Sequence, residues 1–451
     1  MPDAYRLSIT ETTREIQNKN LSPVSLAETL INRIDKLDPE LKAWVTVDRE
    51  DVIGQAKQTE LDQERGIIKP LQGVSVGLKD IFYTAGMRTS ACSRILSEFV
   101  PDYDATSVAK LKAAGAIILG KAVTTEFASS DPSPSLNPWN LNHTPGGSSS
   151  GSSVAVATGM CTAALGSQTG GSTCRPAAYN GIVGLKPTYG RVSKHGVVPL
   201  SWSLDTVGIL VRSVEDAALM LQVMSGHDPL DPHSANEPVP NFVEQMNRSK
   251  QKPVIGLIKD FFFEHSTPEV ASHTEQVAQE LASAGAEIRE ITLPDSFRSS
   301  HACQRIVSNV EAAAFHREWY KQRADEYGPK IRGNIEMGML ISGIDYLQAQ
   351  RLRRQFRTDM VNMLTGIDAL LMPTTPTPAP GDLTTTGDAV FQAPWTSSGL
   401  PTITIPSGIA TNGLPLGTQL AGLPFEEGSL LGIAKWCEQV LNLDLWPNKY
   451  M

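Results

Sequence analysis

The most constraining feature of the chain is a stretch rich in glycine and serine at residues 144–176, TPGGSSSGSSVAVATGMCTAALGSQTGGSTCRP. Its two Gly-Ser turns, at 146–153 and 170–172, enclose a segment of small apolar residues. Glycine and serine at this density are typical of flexible linkers. The valines and alanines between the turns favour burial instead. We therefore expect both turns to lie against a hydrophobic core, and the chain must have a reason to place so many hydroxyl groups there.

Length and charge limit the size of the protein and the kinds of partner it binds. The 451 residues suffice for two or three average domains or for one large α/β domain. A net charge of −9 argues against nucleic acid or an anionic membrane as the main partner. The one basic run, at 351–357, has Leu352 and Phe356 at the spacing of a buried helix face. We interpret its charges as a solvated helix surface.

Cysteine, histidine and hydropathy patterns favour a metal-free cytoplasmic protein. The five cysteines are scattered and form no CxxC pair, which suits a reducing compartment. The eight histidines fall in no ligand spacing such as HExxH. The N-terminus has no secretory signal pattern, and no apolar run reaches membrane-spanning length. We expect no metal site and no membrane association.

Helical and strand-like patterns alternate along the chain. The predicted elements are helices at 24–37, 106–114, 268–284 and 429–441, and strands at 74–78, 116–119, 253–258, 286–291, 369–372, 402–405 and 417–421. Such an alternation predicts a layered α/β protein with a mostly buried sheet. No linker or repeat is evident, so we expect one domain over residues 1–451. The least regular stretch, about 227–330, is expected to be peripheral and to set specificity.

Two short motifs suggest nucleophilic catalysis but lack the necessary context. Gly147, Ser149 and Gly151 match GxSxG, the nucleophile elbow of α/β-hydrolases, but that motif must follow a strand and NHTPG is turn-forming. Ser107 and Lys110 match the SxxK of penicillin-binding proteins, but no KTG or SDN element follows. We expect a surface serine and a solvated lysine there. A phosphate-binding P-loop is excluded because no GK[ST] ends either glycine run.

A third pattern is spread over three segments. GVSVGLKD places Lys79 at the end of an apolar strand, TPGGSSSGS supplies Ser148, and GSQTGGSTCRP supplies Ser172. In their order and spacing these segments resemble the signature of the amidase signature family. Further matching stretches are NPWN at 137–140, GLKPT at 184–188, SLDT at 203–206, GLP at 399–401 and NGLPLGTQLAG from 412. The resemblance covers most of residues 70–225 and 365–440.

The resemblance implies a fold, a reaction and the residues that perform it. The implied fold is a large mixed β-sheet, mostly buried and covered by helices on both faces. The implied enzyme cleaves carboxamide C–N bonds through an acyl-enzyme without a cofactor, and esters and carbamates suit the same chemistry. Ser172 matches the nucleophile, Ser148 the bridging serine after a cis peptide bond, and Lys79 the general base. The residues that match the oxyanion loop are Thr169, Gly170, Gly171 and Ser172.

Elementary chemistry supports these roles. A lysine acts as a base only when it is neutral, and the apolar residues around Lys79 disfavour its ammonium form. A serine hydroxyl both donates and accepts a hydrogen bond, so Ser148 can relay a proton from Ser172 to Lys79. Glycines before a nucleophile let the backbone present several N–H groups to one oxygen. The hydroxyls of the two turns are thus expected to form a proton wire.

The chain departs from the family pattern beside the nucleophile. Most members read DTGGSxR, whereas here Gln168 replaces the acid and Arg175 stands one position further along than the family's arginine. We expect a coupled replacement, because losing one partner of a buried ion pair is costly while replacing both is close to neutral. The catalytic atoms should be unaffected, and the acyl pocket should differ in shape.

The substrate is predicted from the segment before the late GLP motif. Residues 390–399, VFQAPWTSSG, contain no acid to hold the charged end of glutamine, so we predict an aryl or apolar amide. The alternative is the glutamine-hydrolysing subunit of a tRNA-dependent amidotransferase, which shares these motifs and works in a complex. A non-catalytic scaffold is the third class, which the complete set of Lys79, Ser148 and Ser172 argues against. We predict a small-molecule partner, no nucleic acid and no membrane, with a homodimer left open.

Overall fold

The strands of the computed structural model, which describes residues 3–248 and 252–451, form one sheet. They are β1 (Trp44–Val47), β2 (Ser75–Lys79), β3 (Ile117–Ala122), β4 (Ala163–Gln168), β5 (Val183–Lys186), β6 (Thr206–Val211), β7 (Val254–Leu257), β8 (Glu287–Glu290), β9 (Ala369–Pro373), β10 (Thr402–Ile409) and β11 (Pro415–Ala421). Their order is β1-β3-β2-β4-β6-β5-β10-β11-β9-β7-β8.

The sheet is mixed, and its middle strands are fully buried. β2 runs parallel to both of its neighbours, β3 and β4, and β7 runs parallel to β8 and β9. The remaining pairs are antiparallel. Every residue of β2, β4 and β6 is buried. The predicted fold class is therefore confirmed.

The helices cover both faces of this sheet. They are α1 (Ile9–Gln17), α2 (Pro23–Leu41), α3 (Arg49–Glu64), α4 (Thr106–Ala113), α5 (Ser150–Ala157), α6 (Cys174–Asn180), α7 (Val214–Met224), α8 (Phe242–Asn247), α9 (Pro268–Ser283), α10 (Ser300–Arg323), α11 (Pro329–Leu340), α12 (Gly343–Met363), α13 (Ala393–Ser398) and α14 (Glu427–Leu441). Successive residues of a strand point to opposite faces. Accordingly Leu165 belongs to the core cluster with α4 and α7, while Ala164 belongs to the cluster with α2, α3 and α5.

The serine-rich turn before α5 is pressed into the core, as expected from its apolar neighbours. Every residue from 148 to 157 is buried. The Gly151 N–H donates to Val123 O at 2.9 Å, and a Cβ at Gly151 would overlap the carbonyl of Ala43. Only glycine therefore lets this turn lie so close to the strands that precede it.

The stretch at 227–330 contains more regular structure than its sequence pattern indicates. It includes α8, β7, α9, β8 and all of α10, and residues 249–251 lie outside the described part. β7 and β8 extend the sheet at one end. Its expected role in specificity stays a prediction, as does the single domain over residues 1–451.

The residues of the SxxK motif are not on the surface. Ser107 is fully buried. Lys110 Nζ donates to Met224 O at 3.1 Å and to Ser225 O at 2.8 Å, where α7 ends. The expectation of a surface serine and a solvated lysine was wrong, because α4 packs against α7 and its lysine reaches carbonyls left free at the helix end.

Candidate active site

The site lies where two parallel strands end side by side. Leu78 of β2 pairs with Leu165 of β4, so the carboxyl ends of both strands meet at one edge of the sheet. Lys79 ends β2, and Ser167 is the next-to-last residue of β4. Lys79 Nζ lies 2.8 Å from Ser167 Oγ. The strand register thus brings a lysine and a hydroxyl together.

The serine-rich turn supplies a second hydroxyl to the same lysine. Ser148 Oγ lies 2.6 Å from Lys79 Nζ, and both residues are fully buried. The peptide bond between Gly147 and Ser148 is cis, as the family resemblance implies. Two of the three predicted catalytic residues are therefore in direct contact.

Burial sets the protonation state of Lys79. Desolvation lowers the pKa of the Lys79 ammonium to about 7, and the positive charge of Arg175 contributes in the same direction. Asp205 and Cys92 oppose the shift. A substantial fraction of Lys79 is consequently neutral at physiological pH and able to accept a proton.

The predicted nucleophile lies on the turn between β4 and α6. Ser172 is 8% exposed, in contrast to the fully buried Lys79 and Ser148. Its carbonyl accepts a hydrogen bond from the Ser149 N–H at 3.3 Å. This bond ties the two serine-bearing turns together.

All four carbonyls of the predicted oxyanion loop are held by hydrogen bonds. The donors are Gln304 Nε2 to Thr169 O (3.1 Å), Thr396 Oγ1 to Gly170 O (2.8 Å), Arg175 N to Gly171 O (3.0 Å) and Ser149 N to Ser172 O (3.3 Å). In a trans peptide the N–H points opposite to the carbonyl. Within the described residues, the N–H groups of Gly170, Gly171 and Ser172 have no acceptor. The loop therefore holds three fixed N–H donors without acceptors among the described residues.

Gln168 uses both ends of its amide, which explains why an acid is absent here. Its Oε1 accepts from the N–H groups of Thr173 and Cys174 at 3.0 and 3.1 Å. Its Nε2 donates to Thr396 Oγ1 at 3.1 Å, and Thr396 in turn donates to Gly170 O. A carboxylate could make the first two bonds but not the third, because it has no donor.

Arg175 is a buried cation with neutral partners. Its guanidinium donates to Gly147 O at 2.6 Å, to Gly387 O at 2.8 Å and to Thr386 Oγ1 at 3.0 Å. Gln168 and Arg175 thus have separate sets of partners and do not contact each other through a hydrogen bond. The expected coupled replacement of a buried ion pair by these two residues is therefore not seen. Because Gly147 O belongs to the peptide bond that joins Gly147 to Ser148, Arg175 helps to hold Ser148 in place.

Four residues around the site were not assigned a role from the sequence. Asp205 accepts from the Thr169 hydroxyl through Oδ1 and from the N–H groups of Leu200 and Ser201 through Oδ2, at 2.8 and 2.9 Å. It belongs to the SLDT stretch, which was a usable signal. Ser167 adjoins the GGS segment. Gln304 and Thr396 come from distant helices and have no local signal.

Within residues 3–248 and 252–451, no group of three or more His, Cys, Asp or Glu side chains has the arrangement of a metal site. In the same part of the chain, no helix combines the length and apolarity needed to cross a bilayer.

Comparison with known proteins places the chain in a family. The model of the Amidase family matches residues 25–431. The chain belongs to the amidase signature family. It is accordingly a hydrolase that acts on amide C–N bonds. Among solved structures, the peptide amidase of Stenotrophomonas maltophilia is similar, with 29% identity, a TM-score of 0.87 and 98% of each chain covered.

Other relatives of this amidase are named as components of a glutamyl-tRNA(Gln) amidotransferase. The one from Geobacter sp. (strain M21) is 39% identical over 96% of both chains. The component of the same name from Carboxydothermus hydrogenoformans is 38% identical over 97% of this chain and 98% of its own. Another similar structure belongs to a vestigial protein complex tied to the origins of an s-triazine catabolic enzyme. It has a TM-score of 0.90 at 28% identity and covers 96% of this chain and 98% of its own.

These relatives contradict the predicted partners. A small-molecule substrate without nucleic acid was expected, whereas the relatives are named as subunits of an amidotransferase for glutamyl-tRNA(Gln). The prediction relied on the net charge of −9. That charge describes only the surface that this chain supplies and does not limit what an assembly of several chains binds.

Proposed function

We propose that this amidase is the amide-hydrolysing subunit of a tRNA-dependent amidotransferase and that Lys79, Ser148 and Ser172 perform the hydrolysis. The catalytic part rests on the buried 2.6 Å contact between Lys79 Nζ and Ser148 Oγ, beside the nucleophile turn. The assembly is supported by full-length relatives of that name at 36–39% identity. Glutamine is then the amide substrate, and ammonia is the product passed to the tRNA-linked reaction.

The first half-reaction starts from neutral Lys79. Its lone pair takes the proton of Ser148 while one of its N–H groups donates to Ser167 Oγ, 2.8 Å away. Ser148 takes the proton of Ser172, whose oxygen attacks the carbonyl carbon of the amide. The negative charge that develops on the carbonyl oxygen is stabilised by the N–H groups of Gly170, Gly171 and Ser172.

The same relay then runs in reverse. The C–N bond breaks as the proton on Lys79 returns through Ser148 to the leaving nitrogen, because an amide anion is too basic to leave unprotonated. The product is ammonia and an ester of Ser172. Water attacks this ester and gives its proton to Lys79 along the same path. Lys79 then returns that proton through Ser148 to the Ser172 oxygen as the C–O bond breaks, which releases the acid and restores the serine. Protons and charges balance over the cycle.

Asp388 is the group available to bind the ammonium of glutamine. It is exposed, and its Oδ1 accepts from Val390 N at 2.9 Å, so Oδ2 keeps its capacity to accept. Ala389, its neighbour, would lie 3.7 Å from a Cβ at Gly170, so Asp388 lies close to the proposed oxyanion loop.

Asp388→Asn should raise the KM for glutamine by about tenfold while leaving kcat nearly unchanged, because it removes a charge that acts on substrate binding.

An aryl or apolar amide is the second candidate substrate, and one observation favours it. The side chains closest to Gly170 and Gly171 are those of Ala389, Gln392 and Gln304, all neutral. An acyl group without charge would meet no unpaired charge there. For this substrate, Asp388→Asn should leave KM unchanged.

The deciding experiment measures amide transfer to glutamyl-tRNA(Gln) by the chain copurified with its native partner subunits. Ser172→Ala should abolish both ammonia release from glutamine and amide transfer while the complex still assembles. Ser150→Ala is the matched control: it removes a hydroxyl of the neighbouring turn that has no hydrogen-bond partner among the described residues, and it should retain activity. Hydrolysis of aryl amides by the isolated chain, with no amide transfer by the complex, would reject the amidotransferase assignment. Residual activity in Ser172→Ala would reject the catalytic one.

A further inference from the structure

A cavity of about 270 Å³ lies outside the catalytic centre, between α12 and the end of α13. Three arginines of α12 line it: Arg353, Arg354 and Arg357. Ser397 and Gly399 form part of the opposite wall. The sequence pattern predicted that the charges at 351–357 lie on a solvated helix surface. This is correct for Arg351, which is exposed, but not for Arg353 and Arg357, which are half-buried. They are drawn inward because α12 packs against α13.

The described residues that line the cavity include three positive charges and no acid. Of the described residues that line it, none is Asp or Glu, and none of the three arginines forms an ion pair within that part of the chain. Glu311 is the carboxylate that acts most on Arg353. It already accepts from the Ser201 and Ser203 hydroxyls, from Ser203 N and from the Tyr346 hydroxyl. Its oxygens therefore have little capacity left to accept a hydrogen bond from the arginines, although its charge still acts on Arg353.

The arginines differ in how many donors they have already used. Arg353 donates to Ser397 O, to Ser203 O and Oγ, and to Gln350 Oε1, at 3.0–3.2 Å, so it is a fixed part of the wall. Arg357 makes one long contact, 3.4 Å, to Ser398 O. Arg354 makes no side-chain hydrogen bond to any described residue. Two guanidinium groups with ten N–H donors between them therefore have nearly all of their capacity free.

A buried hydroxyl in the same wall also lacks a partner. Ser397 is 2% exposed, and its Oγ has no hydrogen-bond partner among the described residues. Buried polar groups are normally paired, and exceptions call for an explanation such as a ligand or an ion. Burial also lowers the pKa of Arg353 and Arg357, and Arg357 lowers that of Arg353 further. A bound anion would relieve both effects.

We propose that this cavity binds a phosphate group, held by Arg354 and Arg357 against the positive charge of Arg353. Guanidinium groups bind phosphate oxygens with paired N–H donors, and the three positive charges favour an anion in the cavity. The volume leaves room for part of the molecule that carries the phosphate. That molecule is either a small phosphate ester or the backbone of an RNA. The proposal does not rest on the catalytic assignment.

The test uses the full chain and inorganic phosphate as the first probe. Phosphate should raise the melting temperature saturably above sodium chloride of equal ionic strength, as expected for a ligand that binds the folded state. The Arg354→Gln/Arg357→Gln double variant should weaken the phosphate affinity by about tenfold or more, since it removes two positive charges and their hydrogen-bond donors from the cavity. Arg351→Gln is the matched control: it removes an exposed charge from the same helix outside the cavity, and its affinity should equal that of the wild type.

Two further probes distinguish the sources of phosphate. Binding of a short RNA that depends on Arg354 and Arg357 identifies the backbone, whereas arginine-dependent binding of ribose 5-phosphate without RNA binding identifies a small ester. The proposal is overturned if phosphate gives no saturable shift, if acetate acts as strongly as phosphate, or if Arg351→Gln loses as much affinity as the double variant. Arg354 makes no side-chain hydrogen bond within the described residues, so Arg354→Gln should not disturb the fold. The single variant therefore tests phosphate binding even if the double variant fails to fold.

Discussion

Lys79 has the chemistry of a base because its side chain has lost contact with solvent. Its pKa falls to about 7 through burial, so activity that needs neutral Lys79 should rise with pH around 7 instead of near the usual 10.5. Initial rates between about pH 5 and 9 locate this acidic limb in kcat/KM. Lys79→Ala should remove the limb together with most of the activity.

Lys186 is a suitable control for that prediction. It is also fully buried, and burial lowers its pKa to about 7, but its Nζ donates to Pro187 O and not to a serine of the site. Lys186→Met should leave the limb where it is. A limb that survives in Lys79→Ala, or one that disappears in Lys186→Met, would show that Lys79 is not the titrating base.

Arg175 acts on the same limb through its charge and on Ser148 through its hydrogen bond to Gly147 O. Arg175→Gln should lower kcat by about tenfold or more and move the limb to higher pH, because a positive charge that favours neutral Lys79 is lost. Arg175→Lys keeps the charge but not the forked donors, so it should lower kcat without moving the limb. Loss of stability alone, with an unshifted limb in Arg175→Gln, would assign the residue a purely structural role.

Among the helices, α13 serves as a brace for the oxyanion loop. Its Thr396 accepts from Gln168 and donates to Gly170 O. Thr396→Val should lower kcat by about tenfold with little change in KM, since the loop acts on the transition state. Thr396→Ser keeps the hydroxyl and should restore most of the rate. Equal losses in the two variants would mean that packing, and not the hydrogen bond, matters at this position.

The elements themselves were predictable where one pattern continues without interruption. The helix expected at 268–284 is α9, Pro268–Ser283. The strand expected at 402–405 is longer, because β10 continues through Pro406 to Ile409. Proline normally ends a strand, since it has no N–H to donate. Here it is tolerated because β10 pairs with β5 only as far as Thr404, and a bulge follows Pro406 on the other side.

The candidate site was predictable only in part, because some of its residues lie in local motifs and others are distant in sequence. Lys79, Ser148 and Ser172 lie in local motifs with a recognisable order. Gln304 and Thr396 touch the same loop across 135 and 226 residues of sequence. No local pattern records a contact of that separation when a single sequence is read. The three proposed catalytic residues were therefore indicated by the sequence, whereas the contacts that hold their loop were not.

At the scale of the whole molecule, three buried lysines link stability to pH. Lys79, Lys121 and Lys186 each have a folded-state pKa near 7, against about 10.5 in the unfolded chain. Above pH 7 the unfolded chain binds more protons than the folded one, so the free energy of unfolding should rise with pH. Burial raises the pKa of Cys161 and Cys437 to about 12, and their opposite effect begins near pH 9.

The expected window is therefore about pH 7 to 9, where each lysine contributes on the order of 1 kcal/mol per pH unit. Chemical denaturation across this window measures the slope. Lys186→Met should flatten the slope by the contribution of one lysine. A wild-type stability that falls between pH 7 and 9 would contradict the assignment of neutral lysines to the folded state.

The brace that Thr396 provides also sets the time at which a newly made chain becomes competent. Lys79, Ser148 and Ser172 leave the ribosome early. The donor to Gly170 O, Thr396, is synthesised 226 residues after Gly170. At about 5–20 residues per second, that interval lasts roughly 10–45 s. During it the proposed nucleophile lies on a loop without this hydrogen bond, so a nascent chain should hydrolyse an amide at least about tenfold more slowly than a chain folded around Thr396.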